Sequence, residues 1–377
     1  MPDRIECVKN IDIKITFKSP HTLTKDLNRL ALFRSMKKFL SGLFVLFYIC
    51  SCSNKKNIPD VSNINVQLTI QRFDKDLFSM DTNNVSTALT QLQKNYPSFL
   101  NDYLYNILAA PPQSDSTVKK VKMFIHDYRP IYDSVQTTFA STDKMEKEIK
   151  KGFQFVKYYF PNYKLPSAIV TFIGPVEGYA NVLTSSGLAV GLQLYLGKDF
   201  PVYHSEYISE IYPDYQSRRF EPQYIPVNCM KNIIDDIYPE ASADLALVYQ
   251  MIEAGKRLYA LDQLLPEAAD SLKTGYTQNQ LDGCYKNEAF IWNYFVQNNL
   301  LFTTDPAMIR DYMNDGPKTE ALGEASPGFI GQFVGWQIVK KWMTLDKNKK
   351  LEQNKILEIL FQTPAKQIFE EAKYKPR

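Results

Sequence analysis

Cys52 carries the chemistry that this sequence spells out most fully. Ser51 stands at −1 and Ile49 at −3, behind an apolar run over 39–49 and the cationic start Met36-Lys37-Lys38. A cationic start, a short apolar stretch and small residues at a cut are the three parts of a secretory signal. A cysteine at the cut fits a lipobox, in which the sulfur is diacylated and the peptide is then cleaved in front of it. Cys50 fits less well, because Ile49 and Tyr48 precede it. One departure from the pattern is Cys50 itself, at −2, where a small or hydroxylated residue is preferred. The run is too short to span a bilayer, which takes about 20 apolar residues. A plain buried helix is the alternative reading.

Other reactive residue types are sparse. Asp235-Asp236 and Glu253 could form an acid/base pair, although acidic residues on helices are commonly solvated faces. Beyond residue 51 the only histidines are His126 and His204, neither with a partner at i+4. There is no His-Glu-x-x-His, no Cys/His cluster with zinc spacing, no phosphate-binding glycine loop and no Gly-x-Ser-x-Gly elbow. With Cys52 lipidated, Cys229 and Cys284 remain; they either pair in an oxidising compartment or stay two separately buried thiols.

These residues divide the chain. Residues 1–51 read as processed material: 1–35 as a mis-assigned upstream segment and 36–51 as a lipoprotein signal peptide. Their loss changes the charge. The full chain has 44 basic and 41 acidic residues, and removing nine and four leaves 35 and 37, a net of −2. No strong basic field remains for nucleic acid, so membrane attachment falls to the lipid. Residues 52–63 form a tether, and 64–377 a single large α+β domain.

Within that domain, the spacing predicts a strand over 66–73 and then long helices over 85–108, 117–139 and 142–159. Residues 167–173, 178–184 and 188–196 read as strands, with Ser185-Ser186-Gly187 turning the last two into a hairpin. A Tyr- and Pro-rich loop spans 197–226. Helices follow over 227–237, 243–264, 277–298, 306–313, 328–343 and 351–361. The class is α+β, mostly α, with helices around one small sheet. Gly328, Gly331 and Gly335 fall at i, i+3 and i+7, which predicts a close helix–helix contact.

Several segments together resemble the gliding-motility lipoprotein GldB family. They are Ile70-Gln71-Arg72-Phe73-Asp74-Lys75-Asp76-Leu77-Phe78, LAVGLQLYLG over 188–197, PVNCMKNIIDDIYP over 226–239, Met251-Ile252-Glu253-Ala254-Gly255-Lys256, and SPGFIGQFVGWQIVKKW over 326–342. The resemblance spans nearly all of the chain after Cys52. It implies a lipid-anchored outer-membrane protein facing the periplasm, required for gliding motility and associated protein secretion. Such a protein would act by binding or scaffolding on machinery proteins, with no cofactor. Ser53-Asn54-Lys55-Lys56 lacks an acidic run and lacks Asp at +2, in keeping with that leaflet.

The family is also distantly similar to zincin-type proteases, so a zincin-like hydrolase is the alternative function. By that similarity the fold holds a degenerate zincin-like core, with 188–196 as its edge strand and 227–237 as its motif helix. Asn228 and Asn232 would then stand at the two histidine positions, Cys229 at the glutamate and Glu253 at the third ligand. Asn is a poor zinc ligand and a thiol a poor substitute for a carboxylate base, so the resemblance implies a pseudoenzyme.

Overall fold

The computed structural model describes residues 58–184, 186–239 and 244–376; Cys52 and the signal segment lie outside them. Residues from Ile58 onward form one structural unit. Val61, inside the expected tether, is already fully buried.

The sheet has four strands among the described residues: β1 (Thr69–Gln71), β2 (Ala168–Phe172), β3 (Asn181–Thr184) and β4 (Gly187–Gly191). Their order is β1-β2-β4-β3. β1 runs parallel to β2, and β2 parallel to β4, while β3 and β4 make the expected antiparallel hairpin. The two interior strands read Ala-Ile-Val-Thr-Phe and Gly-Leu-Ala-Val-Gly and are buried over nearly their whole length. Strands covered on both faces need such unbroken apolar runs. Gly187 closes the hairpin at φ +117°, backbone that glycine adopts without strain.

Helices dominate the rest, as expected for the α+β, mostly α class. The ones that matter here are α1 (Asp143–Tyr159), α2 (Ile225–Ile237), α3 (Leu247–Leu264), α4 (Ile330–Met343) and α5 (Ala365–Ala372). α1 buries Met145, Ile149, Phe153 and Val156 on one face, the helical spacing read from the sequence. α3 and α4 form the central crossing. A Cβ on Gly335 would overlap the Met251 backbone, and one on Gly255 would overlap Gly335, so both glycines are required by close approach. The predicted contact therefore exists, but Gly328 lies ahead of α4 and packs on Gly316 instead. No helix of the described residues is long and apolar enough to cross a membrane.

Two charged clusters fix elements together in the interior. Asp74 is completely buried. It accepts from Arg72 (Nη2, 2.7 Å), from Thr171 of β2 (Oγ1, 2.5 Å) and from Gln136 (Nε2, 3.2 Å). Between α3 and α4, the Lys273 ammonium donates to Asp262 at 2.7 Å, and Trp336 Nε1 donates to the other Asp262 oxygen at 2.8 Å. Buried charges persist only when paired and hydrogen-bonded in this way.

Several predicted elements are broken, each at an identifiable residue. The 85–108 helix stops at Asn95, before Pro97, and resumes at Phe99 with a short α-helical turn that runs into a π-helical stretch over Asp102–Ile107. The 117–139 helix divides into Ser114–Asp127 and Arg129–Thr138 around Tyr128, with Pro130 in the first turn of the second piece. The 277–298 helix divides at Asn287, whose side-chain amide donates to the Gly283 carbonyl. The 66–73 strand is only Thr69–Gln71, because the chain turns into a helix at Phe73. The 188–196 strand ends at Gly191, followed by a 3-10 turn over Leu192–Leu194.

Candidate functional site

α2 begins with Pro226 in its first turn, where a missing N–H costs nothing. Val227, Met230, Ile233 and Ile234 face the core, and Asn228, Lys231 and Asn232 lie half-buried along the side. The edge strand β3 packs against α2. This corrects the sequence-based placement of the edge strand. β4, the first part of 188–196, lies inside the sheet between β2 and β3, because its all-apolar sequence suits a doubly covered position.

The residues at the degenerate positions divide into two groups. Asn228 donates through Nδ2 to the Tyr195 hydroxyl at 2.8 Å. Tyr195 in turn donates to Asn181 Oδ1 at 2.5 Å, and Asn181 Nδ2 lies 3.3 Å from the Cys229 sulfur. A single hydrogen-bonded chain thus joins α2 to β3 and to the turn after β4. Burial pushes both the Tyr195 hydroxyl and the Cys229 thiol far up, so neither ionises near neutrality. Asn232 is half-buried, and its Oδ1 is enclosed without a hydrogen-bond partner. Glu253 belongs elsewhere: it accepts from Lys256 at 2.7 Å, and the same ammonium donates to the Thr363 carbonyl at 2.8 Å.

The remaining candidates are also spread out. Asp235 pairs with Arg257, and Asp236 accepts from the Tyr163 hydroxyl at 2.6 Å. With Glu253 bound to Lys256, the three carboxylates of the acid/base reading each have a separate partner. His126 sits beside Asp127 on an exposed surface, and His204 lies 2.9 Å from the Lys198 carbonyl. Among the described residues no group of three or more His, Cys, Asp or Glu side chains could hold a metal ion. Cys229 and Cys284 are both free and buried.

The hydrogen-bonded chain forms one wall of a cavity of about 270 Å³. Tyr195 and Asn228 line it from that side, Lys231 from the next turn of α2, and Gln216, Arg219 and Tyr224 from 197–226, which is not one loop but holds short helices over Glu206–Ile211 and Asp214–Ser217. Arg219 pairs with Asp315, and its neighbour Arg218 donates to the Gly275 carbonyl at 2.9 Å. Lys231 has no ion pair or hydrogen bond to its ammonium among the described residues. Its pKa is pushed down to about 8, first by burial and then by Arg219, against the opposing pull of Asp235 and Asp315. Neither Lys231 nor Arg219 stands out as a site residue in the sequence. The signal available was slight: a lysine between two asparagines on an otherwise apolar helix, and an Arg-Arg pair in a Tyr-rich loop.

A larger groove of about 900 Å³ runs beside α1 and is lined by Lys144, Lys147, Lys150 and Lys151 together with Glu148 and Glu267. Its mixed charges include the Lys144–Glu148 pair, the arrangement of an ordinary solvated helix face.

Compared with known proteins, the chain matches one family model, described as gliding motility protein GldB, over residues 54–376. No curated protein and no solved structure matches it.

Proposed function

Because the chain belongs to the GldB gliding-motility family, we propose that it serves the gliding machinery, and the protein secretion associated with it, as a binding or scaffolding lipoprotein. In this reading Cys52 carries the lipid, and the anchor sits in the outer membrane with the folded unit on the periplasmic face.

The observation that carries the binding reading over the hydrolytic one is the use made of the degenerate positions. Asn228 is committed to Tyr195 and Cys229 to Asn181, while Glu253 is held by Lys256. A zincin-like centre needs ligands that converge on one point with an open position for water. Asn228, Cys229 and Glu253 instead each bond to a different neighbour in the fold, as packing residues do.

The test has two parts. Intact-mass analysis of the protein from membranes should show a chain that begins at a diacylated Cys52. Cys52→Ala should leave the protein unprocessed and abolish gliding. An unlipidated chain retaining the signal segment would sink the anchor. Protease added to intact cells should leave the protein whole; its degradation would place it on the outer surface. Stoichiometric, tightly held zinc in the purified protein would overturn the binding reading in favour of hydrolysis.

A further inference from the structure

The cavity beside α2 is built for charge. Among the described residues its wall carries Arg219 and Lys231 and no Asp or Glu. Arg219 already has Asp315, which leaves the Lys231 ammonium as the excess charge. A lysine placed among aromatic rings with no acceptor is costly unless something supplies one. Tyr195, Tyr212, Phe220 and Tyr224 enclose the space, and Asn228 keeps a second amide hydrogen beyond the one given to Tyr195.

The size and the rim narrow the occupant. A cavity of about 270 Å³ lies below the range of drug-sized ligand sites, roughly 300–1,000 Å³. It suits one side chain or one chain end. One excess positive charge matches a carboxylate better than a doubly charged phosphate. Exposed apolar side chains neighbour the lining residues in sequence: Tyr179 precedes Ala180, and Ile211 precedes Tyr212. The Tyr212 hydroxyl ties the two segments together by donating to the Gly178 carbonyl at 3.1 Å. Tyr207, on the same short helix as Ile211, is 61 % exposed. Aromatic residues around a buried polar anchor are the usual make-up of a protein-binding patch.

We propose that this cavity seats a carboxylate, an acidic side chain or the chain terminus, of a partner polypeptide. Lys231 pairs with it, and the Tyr179, Tyr207 and Ile211 surface packs on the flanking residues. This rests on the binding role argued above and adds the chemistry of what is bound.

Carbodiimide coupling in intact membranes tests it, because the reagent joins an amine only to a carboxylate in direct contact with it. The expected product is an amide between Lys231 and an Asp, Glu or C-terminal carboxylate of another polypeptide, identified by peptide mass spectrometry. Coupling of Lys349 to Asp346, an exposed ion pair within the chain, is the internal control. If that control forms while Lys231 stays unmodified or joins only Asp235 or Asp315, the proposal fails. A cell strain carrying Lys231→Gln should keep the lipidated protein at its normal level, lose the cross-link and lose gliding, while Lys231→Arg keeps gliding. Normal gliding with Lys231→Gln would overturn the cavity proposal alone. Normal gliding with Cys52→Ala would instead overturn the anchored role on which it rests.

Discussion

Gly255 of α3 and Gly335 of α4 meet backbone against backbone: a methyl group on Gly255 would overlap the main chain of Gly335, and one on Gly335 would overlap that of Met251 in α3. Gly335→Ala should therefore destabilise the protein by about 3 kcal/mol, the upper end of the range for overpacking. A denaturation midpoint lowered without a change in slope would report it. Gly283→Ala, at a helical glycine with open space around it, is the matched control and should be neutral or slightly stabilising.

Asp262 holds both Lys273 and the Trp336 indole. Asp262→Ala leaves the buried Lys273 ammonium with Asp270 alone, at 3.1 Å, and takes the acceptor from the Trp336 indole, at a cost of about 3 kcal/mol, the lower end for a broken buried pair. Replacing both partners, as Asp262→Leu with Lys273→Met, should recover most of that loss, because no buried ammonium is then left short of its inner partner. Urea unfolding of the two variants side by side decides it. Equal destabilisation would show that the pair contributes more than the removal of a stranded charge.

Glu371 gives stability a dependence on acid. Its carboxylate accepts from Lys347 at 2.5 Å and from Trp342 Nε1 at 2.6 Å, and these contacts hold its pKa down to about 2. A depressed carboxylate stabilises the fold above its unfolded pKa of about 4.3. That contribution is lost as the pH falls from there through about 2. Glu371→Gln should lower Tm by several degrees at pH 7, and the gap to the unmodified protein should close toward pH 2. A gap independent of pH would assign the effect to packing.

The cysteines provide a chemical reading of the same interior. Burial pushes the Cys284 thiol up to about 12 and the Cys229 thiol further still. The thiolate is the reactive form, so iodoacetamide should label neither in the native protein at pH 8. In denaturant the processed protein should take up two labels. A third label would mean that Cys52 bears no lipid, and a native label on Cys229 would mean that α2 opens.

The sequence was legible where periodicity or spacing acts locally. The apolar face of α1, the β3–β4 hairpin and Gly335 at the α3–α4 crossing follow from short-range patterns, whereas its counterpart Gly255 does not. Family resemblance held over 54–376. Strand order was not legible, because Leu188-Ala189-Val190 reads the same at an edge as in the interior of a sheet; only the neighbours decide. The acidic residues show the same limit. The Glu253–Lys256 pair is an i,i+3 spacing open to local reading, but the Thr363 carbonyl that fixes the Lys256 ammonium lies 107 positions beyond Lys256 and nothing local points to it. The α5 helix was missed altogether, although Ala365, Ile368 and Ala372 mark its buried side at helical spacing. Lys231 was missed because its character comes from the loop that folds over it.

The pairing of Thr69 with Ala168 sets an order of events in the life of the chain. β1 is among the first parts of the folded unit to be synthesised, yet the strand it joins lies about 100 residues later. Until β2 has been made, Thr69, Ile70 and Gln71 offer their backbone groups to any neighbouring strand, the condition that leads to misassembly. Contacts so distant along the chain also form late and slowly. The nascent protein therefore spends the synthesis of its helical segment from Phe73 to Tyr159 with an open seam, and a chaperone that shields the region around residue 70 would raise the yield of correctly folded protein.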